Sequence, residues 1–190
     1  MMPRRSDEEL VEALAEGDED ALRALVERYS ASIYRFSVRY TGDESLAQDI
    51  SQEVFLKLYR KARSYRPGMA FKTWLFTIVR NTSIDLAGSW AYRKVHSLDA
   101  PDSPVLLGAD SQSLGHGDPN PEERYSAKET AQSVTKALLT LPETQRTAII
   151  LKYYEGIPIK EIAEIMKTTV SSVESLLVRA KRNLVKLLEL

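Results

Sequence analysis

The sequence predicts an all-α fold of two small helical domains joined by a flexible acidic linker, with a helix-turn-helix in the second domain. Two blocks carry apolar residues at helical spacing. The segment between them, residues 97–123, is rich in Pro, Gly, Ser and Asp and has no sustained helical or strand period. We therefore predict domains at residues 1–97 and 121–190, with the linker at residues 98–120.

The first block predicts four helices. A capping box of Ser6 and Glu9 begins the first helix, and the second starts near Glu19, after Gly17. Asp43 is a suitable N-cap for the third helix. In that helix one stripe is apolar and should face the core; it holds Ala47, Ile50, Val54, Leu58 and Ala62.

The opposite side of the third helix is polar except for two large side chains, Leu56 and Tyr59. Two large apolar groups among polar neighbours favour a surface that binds a partner. Single exposed Leu and Tyr residues are nevertheless ordinary on protein surfaces. Both interpretations stay open on this pattern alone.

The fourth helix belongs to a stretch, residues 70–94, that holds both tryptophans and a single acidic residue. Its apolar face includes Trp74, which we predict to lie in the core. Phe76 points to the other side, where its neighbours at helical spacing are Lys72, Thr73, Arg80 and Ser83. An aromatic ring among cations and hydroxyls suits stacking on unpaired bases.

The end of that stretch is predicted to leave the helix. Gly88 and Ser89 interrupt the helical pattern, which places Trp90 in or beside a loop. Trp90 could anchor that loop or contact DNA, and the pattern does not decide between the two.

The second block predicts four more helices. Asn120 caps the first, which runs to about Leu139, and Pro142 starts the next, which ends at "EGIP". A short helix "IKEIAEIM", the connection "KTT" and an amphipathic helix from about Val170 to Leu188 follow. These proportions are those of a helix-turn-helix, although generic helical bundles show them too.

In a helix-turn-helix, the amino-terminal part of the second helix enters the major groove. The residues predicted to approach base edges are Ser171, Ser172, Glu174 and Ser175, and those predicted to approach phosphates are Arg179, Lys181 and Arg182. Glu174 could accept a hydrogen bond from cytosine. Its alternative is an ion pair with Lys181 or Arg182.

The charge is divided along the chain, although the net charge is only -1. Residues 66–97 carry five Lys and Arg against one Asp, and residues 131–190 carry nine against six. The segment between them, residues 98–130, carries seven acidic residues against two basic ones. Two local basic zones are suited to phosphate binding, which depends on local rather than net charge.

Several classes of function are disfavoured. The chain has no cysteine and two histidines, which excludes disulfides and thiolate chemistry and disfavours a metal site. We find no phosphate-binding loop, nucleophile elbow or acid–base pair, and so predict a non-enzyme without a cofactor. No apolar run is long enough to span a membrane, and no signal core follows the first arginines, which favours a cytoplasmic protein.

Taken together, the residues resemble bacterial RNA polymerase sigma factors of the extracytoplasmic-function (ECF) class. Residues 47–85 are similar to sigma region 2 through the D-x-x-Q-E-x-F run, the F-x-T-W-L run and Asn81. Residues 141–184 are similar to region 4 through the L-P opening, the Y-x-E-G-x-x-x-x-E-I-A pattern and V-E-S-L-L-x-R-A. The two similarities cover nearly all of both blocks.

The resemblance implies an alternative sigma factor that directs core polymerase to promoters through minus-35 and minus-10 elements and promotes strand separation. The implied binding surface for the beta-prime clamp helices consists of Asp49, Gln52, Glu53, Leu56 and Tyr59. The implied minus-10 surface consists of Lys72, Thr73, Phe76, Arg80, Asn81, Trp90, Arg93 and Lys94. The last helix would read the minus-35 duplex.

The resemblance also implies the beta flap of core polymerase, promoter DNA and a separate anti-sigma factor as partners. The segment "LAGSWAYRK" departs from the family, because many relatives are richly basic after the position of Asp85. Glu174 departs as well, since many relatives carry a basic residue there.

Two other classes of protein remain as alternatives. A conventional DNA-binding regulator would bind duplex without melting it, and would not need the motifs between Gln52 and Asn81. In a helical adaptor that binds only protein, the second basic zone would have no function.

Overall fold

The computed structural model describes residues 5–96 and 133–188, and gives the backbone alone for residues 92–96. Helices and short turns make up this part of the chain, which contains no strand. The all-α fold class is therefore confirmed for the described residues. The predicted linker and the predicted cap at Asn120 lie outside them.

Four α-helices form the first block: α1 (Asp7–Glu16), α2 (Glu19–Thr41), α3 (Glu44–Lys61) and α4 (Phe71–His96). A short 3-10 turn, Ala62–Ser64, follows α3. The five apolar residues predicted to form the core stripe of α3 are all buried, as expected. Helix α4 packs against α2 and α3 of its own block and against a helix of the second block.

Local polar contacts explain where these helices begin and end. Ser6 accepts from the Glu9 amide, and the Glu9 carboxylate accepts from the Ser6 amide, which confirms the capping box. Asp43 caps α3 through the amide of Leu46 at 2.8 Å, as predicted. Gly17 ends α1 with a φ of 102°, a left-handed conformation that glycine adopts without steric cost.

The predicted interruption of α4 at Gly88 and Ser89 is wrong, because the helix continues to His96. One glycine in a helix costs only about 1 kcal/mol relative to alanine, which favourable neighbours outweigh. Trp90 therefore lies on the helix rather than in a loop, and it packs partly buried against the core. Asn81 lies inside this helix.

The second block begins, within the described residues, with a helical segment at 133–140, named α5 here. Helix α6 (Glu143–Ile149) runs directly into a π-helical turn, Ile150–Tyr154. Helices α7 (Ile159–Met166) and α8 (Val170–Leu187) follow.

Helices α7 and α8 form the predicted helix-turn-helix. The three-residue connection contains Lys167 in the left-handed region at a φ of 52°, and Thr169 caps α8 through the Ser172 amide. Val173, Leu177 and Ala180 of α8 are buried, as expected from the apolar stripe. Val170, at the start of α8, is 42% exposed and does not share this burial.

The two blocks are packed together. Helix α4 contacts α7, and α2 contacts the π-helical turn. Gly42, with a φ of 73°, lies against Leu139, so that a Cβ atom there would come within 2.5 Å of the leucine Cδ1. Arg146 of α6 donates to the Tyr40 carbonyl at 2.5 Å.

Candidate partner and nucleic-acid interfaces

The outer side of α3 presents an exposed stripe that the α3 core residues position. Leu56 is 50% and Tyr59 is 53% exposed. Asp49 and Gln52 on the same side are exposed, and Glu53 is half-buried. Because the core side of the helix is buried, these side chains point away from the first block and form one continuous surface.

This surface combines large apolar groups with acidic and amide groups. Exposed apolar side chains grouped in this way, with a polar border, are typical of a protein-binding site. The arrangement favours the partner interpretation of Leu56 and Tyr59.

Phe76 does not lie on an exposed base-stacking surface, and that prediction is wrong. Its side chain is fully buried and meets the Phe36 ring edge-on, with 5.7 Å between ring centroids. The reason is that α4 is covered by α2 as well as by α3, so that both of its sides face protein. Trp74 is partly buried and packs against Tyr65 and Phe71, in keeping with its predicted place at the core.

Two other predicted minus-10 residues contact the second block. Thr73 is 2% exposed, and its hydroxyl donates to the Glu161 carboxylate of α7. Lys72 is half-buried and donates to the backbone carbonyl of Glu155. Both groups are therefore covered while the blocks are packed together.

Further along α4, Arg80 and Asn81 are half-buried. The Arg80 guanidinium donates to the Asn81 side-chain oxygen at 3.4 Å, and its buried Nε has no hydrogen-bond partner within the described part of the chain. The predicted side chains of Arg93 and Lys94 lie outside the described residues. Lys72, Thr73, Arg80 and Asn81 thus all lie on α4.

Helix α8 carries an exposed polar face. Seven residues were predicted to contact DNA there, and Ser172 among them is half-buried. The other six are exposed: Ser171, Glu174, Ser175, Arg179, Lys181 and Arg182. A shallow depression on this face is lined by Ser171, Ser175 and Arg179 together with Thr144 of α6. Thr144 was missed by sequence reasoning, since its only signal is its place in the first turn of a helix.

The alternative ion pair of Glu174 with Lys181 or Arg182 does not form among the described residues. The Lys181 ammonium instead lies 5.0 Å from the centre of the Tyr153 ring. A side-chain hydrogen bond from Asn183 to Gln145, at 3.0 Å, holds α8 against α6. Glu174 is free to accept a hydrogen bond from a ligand.

The contact between the blocks includes a buried carboxylate, Glu155. Burial raises the pKa of this carboxyl group, while the hydroxyl of Ser32 and the charges of Lys72, Arg39 and Arg35 act in the opposite direction. Ser32 of α2 donates to that carboxylate at 2.5 Å. Desolvation likewise lowers the pKa of Arg39, whose guanidinium stacks 4.0 Å from the centre of the Tyr154 ring.

Comparison with known proteins shows the family of the chain. Residues 25–98 match the family model described as Sigma-70 region 2, and residues 126–184 match that of Sigma-70, region 4. The chain is 33% identical to the RNA polymerase sigma-H factor of Pseudomonas aeruginosa, over 100% of this chain and 97% of the relative. It is 32% identical to the ECF RNA polymerase sigma-E factor of Haemophilus influenzae, over 95% of this chain and 94% of the relative.

The chain belongs to the ECF sigma factors. It is an alternative sigma factor, a protein that directs RNA polymerase to promoters. A regulator that binds duplex alone, or an adaptor that binds only protein, does not account for both matched regions in one chain.

Solved structures of other proteins have a fold similar to that of this ECF sigma factor. CnrH in complex with the cytosolic domain of CnrY has a TM-score of 0.71 and 21% identity, over 96% of this chain and 97% of that one. The sigma factor RpoE of Bartonella quintana, in complex with the anti-sigma factor NepR, has a TM-score of 0.70 and 23% identity, over 88% and 96%. At these identities the likeness shows the fold alone.

Two further findings hold for residues 5–96 and 133–188 of this ECF sigma factor. None of the helices there is long and apolar enough to cross a membrane. No group of His, Asp and Glu side chains there could hold a metal ion.

Proposed function

We propose that this ECF sigma factor binds core RNA polymerase through α3, reads the minus-35 duplex with α8 and holds the minus-10 element with α4 as its strands separate. One observation carries the proposal: both sigma regions occur in one chain, in this order, and each carries an exposed surface suited to its partner. Residues 1–97 would supply the first and third tasks, and residues 121–190 the second.

The polymerase surface consists of Asp49, Gln52, Glu53, Leu56 and Tyr59. The exposed apolar pair would be buried against the beta-prime clamp helices, while the acidic and amide groups would border the contact. The beta flap is a second proposed contact of core polymerase. The polymerase performs the covalent chemistry, and the sigma factor has no catalytic role or cofactor of its own.

The minus-10 surface of α4 retains Lys72, Thr73, Arg80 and Asn81, and omits Phe76 because that ring is buried. Separating strands costs stacking energy, which the protein can offset by holding an extruded base while cations bind the backbone. Trp90, Arg93 and Lys94, further along α4, also belong to the proposed surface. The half-buried Arg80, with an unpartnered Nε, has a donor left for an incoming acceptor.

Regulation by a separate anti-sigma factor is part of the proposal, since the RpoE of similar fold is in complex with one. Such a factor would have to cover the exposed faces of α3 or α8 to prevent initiation. The proposed location is the cytoplasm, where core polymerase and promoter DNA are found.

Transcription in vitro tests the proposal directly. Purified full-length protein added to core polymerase on a genomic promoter library should produce transcripts that start at a defined set of promoters. A known sigma factor added to the same core preparation is the control for active polymerase. If that control initiates and the present chain does not, the proposed function is wrong.

Arg179→Ala should weaken binding of the holoenzyme to a duplex promoter taken from that library. Arg179 is exposed on α8 and lines the depression next to Ser171 and Ser175. Loss of one phosphate contact makes the negative slope of log K against log salt shallower by about 0.9. The measurement is fluorescence anisotropy of labelled promoter duplex over a range of salt concentrations.

The matched control is Lys186→Ala, which removes one cation from the exposed side of the same helix outside the predicted DNA surface. Its salt slope should stay near that of the wild type. Equal slopes for Arg179→Ala and Lys186→Ala would remove the phosphate role of Arg179.

A further inference from the structure

Val178 is an apolar side chain on the polar face of α8. It is 64% exposed, more than any other large apolar side chain in the described part of the chain. The contact of α8 with the core is supplied by Val173, Leu177 and Ala180, which are buried. The fold therefore gains little from a valine at position 178, because a side chain that stays in water adds no hydrophobic stabilisation.

The surroundings of Val178 are side chains that the sequence predicts to contact DNA. Helical spacing places Glu174 one turn before Val178 and Arg182 one turn after it, on the same side of α8. These three residues line one shallow depression together with Ser171, Ser175 and Arg179. The valine thus lies inside the proposed minus-35 surface, and sequence reasoning missed it because an apolar residue carries no signal of DNA binding.

An apolar side chain in the major groove can select a base by its methyl group. Thymine presents a C5-methyl group there, next to the O4 acceptor, whereas the edges of the other three bases carry no methyl group. Val178 offers two methyl groups and no polar atom. Contact with thymine would remove apolar surface from water on both sides without leaving a hydrogen-bonding group of the side chain unsatisfied.

Glu174 adds a restriction of the opposite kind. Its exposed carboxylate has no ion pair among the described residues, and an ionised carboxylate only accepts hydrogen bonds. In the major groove guanine presents the acceptors N7 and O6, and thymine presents O4, so both repel a carboxylate. Adenine presents a donor beside an acceptor, whereas cytosine presents the N4 amino donor. Cytosine is therefore the base that suits Glu174.

We propose that Glu174 and Val178 form a specificity pair, in which the carboxylate accepts from the N4 amino group of a cytosine and the valine contacts the methyl group of a thymine. Four residues of an α-helix span about 6 Å. Successive base pairs are about 3.4 Å apart, so the two bases should lie one or two steps apart. The pair rests on the proposed reading of the minus-35 duplex by α8, and adds the two bases that this helix selects.

The negative charge of Glu174 contributes to selectivity by weakening the binding of other sequences. Phosphates repel the carboxylate on any DNA, and a mismatched base leaves it without a donor. Discrimination against the wrong ligand in this way is a common source of specificity. Arg179 and Arg182 are exposed on the same face and supply the positive charge that holds the helix to the duplex.

Glu174→Gln tests the polar half of the specificity pair in the holoenzyme. Promoters that the wild-type chain uses are given a randomised minus-35 region, and sequencing of the templates transcribed in vitro gives the base preference at each position. Glutamine both donates and accepts, and binds adenine through N6 and N7. The preference for cytosine over adenine at one position should therefore fall about tenfold.

Glu164→Gln is the matched control for this variant. It makes the same chemical change at another exposed glutamate, on α7. The base preferences of this control should equal those of the wild type at every position of the minus-35 region. Circular dichroism should be the same for both variants, since both side chains are exposed.

Val178→Ala tests the apolar half with a probe that changes one methyl group of the DNA. Deoxyuridine replaces each thymidine of the selected minus-35 element in turn, which removes only the C5-methyl group. At one position this replacement should lower the affinity of the wild-type holoenzyme about fourfold, the factor expected for one methyl group returned to water. The Val178→Ala holoenzyme should bind both duplexes equally. Val185→Ala, which truncates a 48% exposed valine two turns further along α8, should retain the fourfold effect.

The outcomes separate the specificity pair from the proposed function. A wild-type holoenzyme that initiates without any base preference in the minus-35 region would show that the reading of this duplex by α8 is wrong, and the pair with it. A defined minus-35 element with equal base preferences in Glu174→Gln and Glu164→Gln would remove Glu174 from the pair. Equal responses to deoxyuridine in Val178→Ala and Val185→Ala would remove Val178. In both of these cases the proposed function stands.

Discussion

Replacing Phe76 by alanine should lower the free energy of unfolding by about 3–5 kcal/mol. The ring is fully buried and contacts the edge of Phe36 at 5.7 Å between centroids, so alanine leaves a cavity between α2 and α4. Urea unfolding followed by tryptophan fluorescence is a suitable measurement, because both tryptophans, Trp74 and Trp90, lie on α4.

Tyr59→Ala is the control for this prediction, since it removes an aromatic ring that is 53% exposed on the neighbouring helix α3. Its effect on unfolding should stay within about 0.5 kcal/mol, as is usual for surface substitutions. Similar urea midpoints for the two variants would contradict the buried position of Phe76 and restore it as a candidate base-stacking residue.

The rings of Phe76 and Tyr59 show what a helical wheel can and cannot predict, since the wheel placed both on an exposed side and only Tyr59 is exposed. The wheel correctly gave α3 one buried and one exposed side, because α3 lies at the border of the first block with Leu56 and Tyr59 outward. It failed for Phe76 because α4 is packed by α2, α3 and α7. A wheel gives the relative direction of side chains, whereas burial depends on how many neighbours surround the helix.

Other local features were predictable because their causes lie within a few residues. The capping box of Ser6 and Glu9, the cap at Asp43 and the helix-turn-helix connection all formed as the sequence indicated. The interruption at Gly88 was predicted from the same kind of local signal and is absent. The propensity cost of one glycine is small compared with the packing of Leu86 and Trp90 on the core.

The packing of the two blocks could not be predicted from the sequence. Thr73 meets Glu161, which is 88 residues further along the chain, and Ser32 meets Glu155, which is 123 residues further along. Ser, Thr and Glu residues of this kind are ordinary surface residues in any pattern based on hydrophobicity. Only the folded arrangement shows that Lys72 and Thr73 are covered by the chain's own second block.

Leu56→Ala combined with Tyr59→Ala should raise the dissociation constant for core polymerase about 100-fold. Truncation of an anchor residue of an interface commonly weakens the binding free energy by about 1–2 kcal/mol or more. A loss of about 3 kcal/mol for the two residues together corresponds to about a 100-fold higher dissociation constant. The two side chains are about half exposed in the free chain, so polymerase can still bury a large apolar area there. Affinity is measured by titrating labelled full-length protein with core polymerase.

Met69→Ala is the control for the double substitution, since it removes an apolar side chain that is 39% exposed in the same block but outside α3. It should leave the affinity for core polymerase close to that of the wild type.

The double variant should also keep its urea midpoint, because neither side chain supports the core; a loss of affinity then reflects the contact itself. Unchanged core affinity in a folded double variant would remove Leu56 and Tyr59 from the polymerase surface and return them to the class of ordinary exposed residues.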